Sequence, residues 1–322
     1  VFYSGGIDMK INQAIIYFIA ALETEQLSSH SIKAYTQDLN QFASVVSKAT
    51  LDELDFEDFH HYFLQISSLK ITSIKRKRVV LHRFLNFCYK KKMCSEKLSE
   101  YIDPIKSKKN VIPKEVLTRE EIKELFAYID QQQLGYRLKT DESYYEYLYY
   151  CSIRNKLLLN ILLYTGCRAQ EAVSIKKQDI NLLQNTITLF TKGKKYNQVP
   201  IHEELLKALA TYEEAIQQFG DPVILGMLKS AYLFPSKGDI NKPLSTRTLH
   251  DLMKQLSKHL NKHIYAHLFR HTFASYCIAA NMDISTISSL ISHSNPAITL
   301  SIYTHEIDAH NKQHQIKKLS FS

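Results

Sequence analysis

The sequence predicts a mainly α chain in two parts: a small N-terminal helical bundle over 10–103, and a larger C-terminal α+β domain over 117–322 with a small antiparallel sheet. Three observations carry this. Apolar residues recur at i, i+3, i+4 and i+7 along most of the 322 positions, the mark of helices with one buried face. Only "TITLFTKGKKYNQVPI" (186–201) offers two β-favouring arms about a turn, a hairpin with a Lys-Gly-Lys-Lys tip. Between the two parts, "IDPIKSKKNVIPKEV" has two prolines, four lysines and no period, so 104–116 reads as a linker.

Taken in order, residues 1–9 form a tail or remnant ahead of the first period. The bundle starts with "INQAIIYFIAALETEQ". It continues with "SSHSIKAYTQDLNQFASVV", where a serine cluster supplies N-caps and Ile32, Tyr35, Leu39 and Phe42 hold the stripe. "LDELDFEDFHHYFLQI" is the third helix. The fourth is "SIKRKRVVLHRFLNFCYKKK", with Lys75, Arg76, Lys77 and Arg78 at its head and Lys90 to Lys92 at its tail. Positive charge at the tail suits the helix dipole, whereas the cluster at the head opposes it and points to an anionic ligand over a merely solvated basic face. After the linker, Thr118 and Glu121 make a capping-box signature before an apolar stripe. "QQQLGYRLKTDESYYEYLYY" (131–150), polar and tyrosine-rich, reads as a loop flanked by helix ends. "SIRNKLLLNILLYTG" is a helix closed by Gly166. Helices return after the hairpin, "PLSTRTLHDLMKQLSKHL" being the best defined.

Forty-one lysines and arginines face 32 acidic residues, a net charge of +9 and a pI near 9.1, which fits equally a soluble basic protein and one whose partner is rich in phosphate. The five cysteines are scattered with no CxxC pair, so neither a disulfide framework nor a cysteine zinc site is indicated, and a reducing cytoplasm fits. The longest apolar runs, such as "LLLNILLY", are far short of a membrane span, and the N-terminal residues lack signal-peptide order.

Four stretches carry residues of chemical interest. "TGCRAQE" puts Arg168 just past a buried helix with Glu171 three residues on; alone, it is a salt-bridged helix-start arginine. "TKGKK" puts Lys192 at the end of a strand, by itself an exposed turn lysine. "HLFRHTFAS" sets His267 and Arg270 on one helix face. "ISHSNPAITLSIYTH" sets His293 ten residues before Tyr303. Zinc is the competing chemistry, because "HLFRH" and "HNKQH" have i, i+4 histidines. Neither is HExxH and no acidic third ligand is placed, so no metal is expected.

In that order and spacing the four stretches resemble the tyrosine recombinase/integrase family: an arginine in TGxRxxE, a hairpin lysine, an HxxR pair, a second histidine and a nucleophilic tyrosine. "LSSHSIKAYTQDLNQF" is similar to the family's SAM-like core-binding domain, so the resemblance spans nearly the whole chain. Two departures stand out. Ile291-Ser292-His293 replaces the usual Leu-Gly-His, and Asp103-Pro104 replaces Asn-Pro. The resemblance implies that Tyr303 forms a 3′-phosphotyrosyl link, and that Arg168 and Arg270 clamp the phosphate. His267 handles protons, His293 donates to the phosphate, and Lys192 protonates the 5′-oxygen leaving group.

The chemistry is consistent with this. Forked guanidiniums suit paired non-bridging oxygens, and a phenol of pKa about 10 needs cations and a proton acceptor nearby to attack. Neither cofactor nor nucleotide is implied. Partners would be double-stranded DNA with specific recombination sites and three further copies of the chain, a tetramer on two sites, with the two domains closing round each duplex. The tail after Tyr303 would either dock on a neighbouring subunit, as similar tails do, or end as a frayed terminus. Lys75, Arg76, Lys77, Arg78, Lys194, Lys195 and Arg247 are the expected phosphate contacts. The setting would be the cytoplasm, at the nucleoid. A non-catalytic DNA-binding protein and a type IB topoisomerase remain as alternatives, and Xer-type resolution is not separable from mobile-element or phage integration.

Overall fold

The computed structural model describes residues 9–103, 115–139, 143–191, 195–292, 295–297 and 299. The chain divides into two compact units, Val1–Asn110 and Val111–Ser322.

The first unit is the expected bundle: α1 (Ile11–Thr24), α2 (Ser29–Val45), α3 (Phe56–Gln65) and α4 (Ile71–Lys90), closed by a 3-10 turn over Leu98–Tyr101. Each helix starts where a local signal places it or where packing demands it. Ser28 caps α2 by accepting from the Ser31 amide at 3.2 Å, and Asp55 caps α3 through the Glu57 and Asp58 amides. Along α1, Ile11, Ala14, Ile15, Phe18 and Leu22 are buried, as its period requires. The core is aromatic: Phe18, Phe42, Phe59, Tyr62 and Phe84 are fully buried, with Phe42 edge-on to Tyr62 at 5.1 Å between centroids. Full burial of one such side chain stabilises by roughly 1.5–3 kcal/mol, and truncating it to alanine costs about 3–5 kcal/mol.

One expectation fails here. Helix α4 begins at Ile71, a turn earlier than its basic cluster, so Lys75–Arg78 do not crowd its N-terminus. Lys77 faces inward and is 8% exposed; its ammonium donates to Asp38 at 2.7 Å and to Gln41. That ammonium serves the bundle core and is not presented to a ligand. Arg76 pairs with the same Asp38 from the exposed side, and Arg78 lies 4.0 Å over the Phe63 ring while donating to the Asp103 carbonyl.

The second unit opens on α5 (Arg119–Arg137). The anticipated capping box is present: the Thr118 amide donates to Glu121 at 2.8 Å, and the Glu121 amide to the Thr118 hydroxyl at 3.1 Å. The loop expected over 131–150 is mostly helix. Helix α5 runs to Arg137, and α6 (Ser143–Thr165) already includes the tyrosine run. Long-range contacts explain the error. Glu146 accepts from the Gly220 and Asp221 amides, Ser143 donates to Asp221 at 2.6 Å, and Tyr150 is buried edge-on to Phe219. A helix buried on several faces carries no polar stripe, so its period is illegible.

After α7 (Ala169–Val173) comes the sheet, β1 (Ile180–Asn181), β2 (Thr186–Thr191) and β3 (Lys195–Pro200), antiparallel in the order β1-β2-β3. The register runs from Thr186↔Pro200 to Thr191↔Lys195, and Ile187, Leu189 and Val199 point into the core. The anticipated hairpin is therefore present up to its tip, which lies outside the described residues. The rest is α8 (Glu203–Ile216), α9 (Pro222–Leu228), α10 (Thr246–Leu260), α11 (Ala266–Ala279) and α12 (Ile284–Leu290). Among the described residues no helix is long and apolar enough to cross a membrane.

Candidate active site

The site is built where α6, α7, α11 and α12 meet. Helix α6 ends at Thr165, and the chain turns at Gly166, whose φ of +60° favours glycine. A Cβ at Gly166 would lie 2.5 Å from the Phe273 ring and 3.1 Å from Ile291, so α11 and the end of α12 pack directly on its backbone. Its carbonyl, exposed by the helix end, accepts from the Arg270 guanidinium at 2.9 Å.

Two residues on, Arg168 is the N-cap residue of α7. Glu171, 4% exposed, reaches back to the Arg168 amide and pairs with its guanidinium, both at 2.8 Å. The Arg168 side chain is about one-third exposed (34%), and its Nη2 donates to the Ser292 carbonyl at 3.3 Å. A buried carboxylate thus fixes one edge of a guanidinium whose remaining surface meets solvent. Arg168 is thus salt-bridged at a helix start, with part of its guanidinium open to solvent.

His267 and Arg270 share a face of α11, three residues apart. Arg270 is buried at 3% exposure, while His267 reaches solvent. Desolvation holds the His267 imidazole below its ordinary pKa of 6.5, aided by the Arg270 and Arg168 guanidiniums and opposed by Glu171. The shift favours the uncharged ring, the form that can accept a proton. His271, the other member of the zinc-like spacing, meets the His267 ring edge to face at 6.0 Å between centroids.

Helix α12 ends at Leu290, and Ser292 takes φ 55°, left-handed although it is not glycine, at a cost of order 1–3 kcal/mol. This is the position where the sequence departs from the glycine usual in the family it resembles. Sequence reasoning missed Asn197, on β3, whose amide donates to Ser289, Leu290 and Ser292; no local signal marks it.

Of the six expected catalytic residues, the structure brings together Arg168, His267 and Arg270. Lys192, His293 and Tyr303 lie outside the described residues, though the chain leads into them from Thr191 and Ser292. Of the expected DNA contacts, Arg247 is exposed in the first turn of α10. Lys194 lies outside the described residues, as does the side chain of Lys195. Lys75, Arg76 and Arg78 belong to the first unit.

The Phage integrase family model matches residues 115–310, and the phage integrase N-terminal SAM-like domain matches 15–92. Tyrosine recombinase XerC of Staphylococcus aureus is 28% identical over 298 residues, covering 89% of this chain and 90% of that protein. XerC of Staphylococcus saprophyticus is 26% identical over 308 residues, 92% of each. In fold, the chain matches a lambda integrase fragment (75–356) dimer bound to a COC′ core site, with TM-score 0.66, 14% identity, and 90% of this chain and 97% of that one covered. It also matches the XerH site-specific recombinase bound to difH substrate, with TM-score 0.63, 22% identity and coverages of 85% and 77%.

Proposed function

We propose how this chain works from one premise: it belongs to the phage integrase family and is a tyrosine-type site-specific DNA recombinase. Double-stranded DNA is its partner. The Tyr303 hydroxyl attacks a backbone phosphorus; the Tyr303 Oη–P bond forms as the P–O5′ bond breaks. The products are a 3′-phosphotyrosyl link and a free 5′-hydroxyl, which later attacks the equivalent link in a second duplex. Each exchange conserves the number of ester bonds, so no nucleotide is consumed.

Arg168 and Arg270 hold the non-bridging oxygens and offset the charge that builds there. His267, kept neutral, takes up the proton of the Tyr303 hydroxyl; His293 donates to the phosphate, and Lys192 delivers a proton to the departing 5′-oxygen. Lys75, Arg76, Arg78, Lys194, Lys195 and Arg247 contact flanking phosphates. Strand exchange runs in a homo-tetramer on two DNA sites, in the cytoplasm at the nucleoid.

One observation supports the reading above others. Two arginines from segments 102 positions apart in sequence share a single backbone turn, Gly166–Arg168, with the His267 imidazole beside them, its proton affinity lowered by desolvation and by both guanidiniums. A core ion pair needs no histidine at its edge; phosphoryl transfer from a phenol needs a proton acceptor there.

The test is a nicked suicide duplex bearing the sequence that the wild-type chain enriches from a randomised pool. Wild type is expected to form a covalent protein–DNA adduct, with EDTA present or absent, and Tyr303→Phe none. Equal adduct from both proteins would remove Tyr303 as nucleophile.

A further inference from the structure

Strand β3 follows Lys192 by three residues, and Asn197 sits within it, paired in register with Leu189. The Asn197 side chain leaves the sheet for the end of α12. Its Nδ2 donates to the Ser292 hydroxyl at 2.7 Å and to the carbonyls of Ser289 and Leu290 at 3.0 and 3.1 Å. An amide nitrogen carries two protons, so these three acceptors share them. The carbonyls belong to the last turn of a helix, where partners within the helix run out, so β3 caps α12 from outside.

The other end of α12 is held by Asp283, which accepts from the Thr286 amide at 2.8 Å. Its apolar side, Ile287 with Ile291 just beyond, packs on Ala274, Cys277 and Ile278 of α11. Fixed in this way, α12 delivers the chain to Ser292, the last tied residue before His293.

Ser292 is the anomaly that gives these contacts a purpose. Glycine takes φ 55° freely, whereas serine resists it. The serine hydroxyl makes the shortest of the Asn197 contacts, and the serine carbonyl accepts from Arg168. We propose that Asn197 is a positioning residue for His293: it pins the left-handed Ser292 to strand β3, and so fixes the point from which the chain enters His293. The inference rests on the recombinase reading and deepens it; Asn197 itself touches no reacting atom. It also accounts for the serine, which gives up glycine's freedom for a bond that Asn197 supplies.

The experiment uses the full chain and the suicide duplex described above. It measures single-turnover adduct formation at saturating protein, DNA affinity by gel shift, and folded fraction by circular dichroism. Asn197→Ala is expected to slow adduct formation about 10–100-fold while affinity stays within about twofold. Asn197→Asp keeps the volume but turns an acceptor toward the carbonyls, and should slow it as much. Adding Ser292→Gly to Asn197→Ala should recover at least about fivefold, because glycine holds the turn unaided, while adding Ser292→Ala recovers nothing. Wild-type rates in Asn197→Asp would overturn the proposal. So would a loss confined to affinity or folded fraction, or equal recovery by glycine and alanine. Absence of adduct from wild type would instead sink the recombinase reading.

Discussion

Two clusters of cations are tied to buried carboxylates in this chain, and they are built differently. In the first unit, Asp38 draws two cations onto itself, Lys77 from within and Arg76 from the exposed side. In the second, Glu171 pairs with Arg168 alone among the described salt bridges, and Arg270 donates to a carbonyl, a neutral acceptor. The first arrangement gathers charge around an anion already present. The second aligns guanidiniums through backbone and one carboxylate, leaving Arg168 a solvent-facing edge where an outside anion can bind. Basic residues in sequence look alike; what holds each one decides whether it belongs to the core or to the ligand.

Substitutions that remove single cations should break the comparison if it is false. Arg270→Lys keeps the charge but loses the fork, and is expected to slow adduct formation by about 10²–10³-fold at saturating DNA with affinity nearly intact. An effect on affinity alone would place Arg270 among mere phosphate contacts. Lys77→Ala should do the converse. Cleavage per folded molecule stays near wild type, while chemical denaturation shows a loss of roughly 1–3 kcal/mol, because a buried carboxylate is left with one cation. A lowered salt dependence of DNA binding in that variant would return Lys77 to the DNA interface.

The smallest effect concerns pH. With the folded pKa of His267 below 6.5, protonation favours the unfolded chain, so this group's contribution is whole above pH 6.5 and fades as pH falls through the lowered value. Cleavage should decline over the same acid window. Glu171 opposes the depression, so Glu171→Gln should move the acid limb to still lower pH, followed by imidazole NMR titration. Movement to higher pH would mean that Glu171 governs His267 only through the placement of Arg168.

The parts of this molecule legible in its sequence are those whose cause is local. The Thr118–Glu121 capping box, the α1 stripe from Ile11 to Leu22, and the hairpin arms each rest on neighbours within a turn or two. The order of the four motifs likewise lies in plain view, and it singles out Arg168, His267 and Arg270, which the structure brings together. Residues whose state depends on distant partners were not legible. Lys77 sits in a run of four cations, and only Asp38, 39 positions away, turns it inward. The tyrosines of α6 read as loop because their partners, Phe219 and the Gly220–Asp221 amides, lie some 70 positions on. Asn197 belongs to the same class, its acceptors being 92 to 95 positions downstream.

The bonds that join Arg270 to Gly166 and Arg168 to Ser292 span 104 and 124 positions. Closures of that reach form late, because a long loop must be ordered before either contact repays it. During synthesis, Arg168 leaves the ribosome well before the segment that orients it, and Tyr303 follows later still. At translation speeds of about 5–20 residues per second, roughly 7–27 seconds separate Arg168 from Tyr303. Domains fold as units and the N-terminal one first, so the bundle of a growing polypeptide can be complete while Arg168 and Arg270 are still unaligned. The capacity to cut arrives last, as a property of the completed molecule.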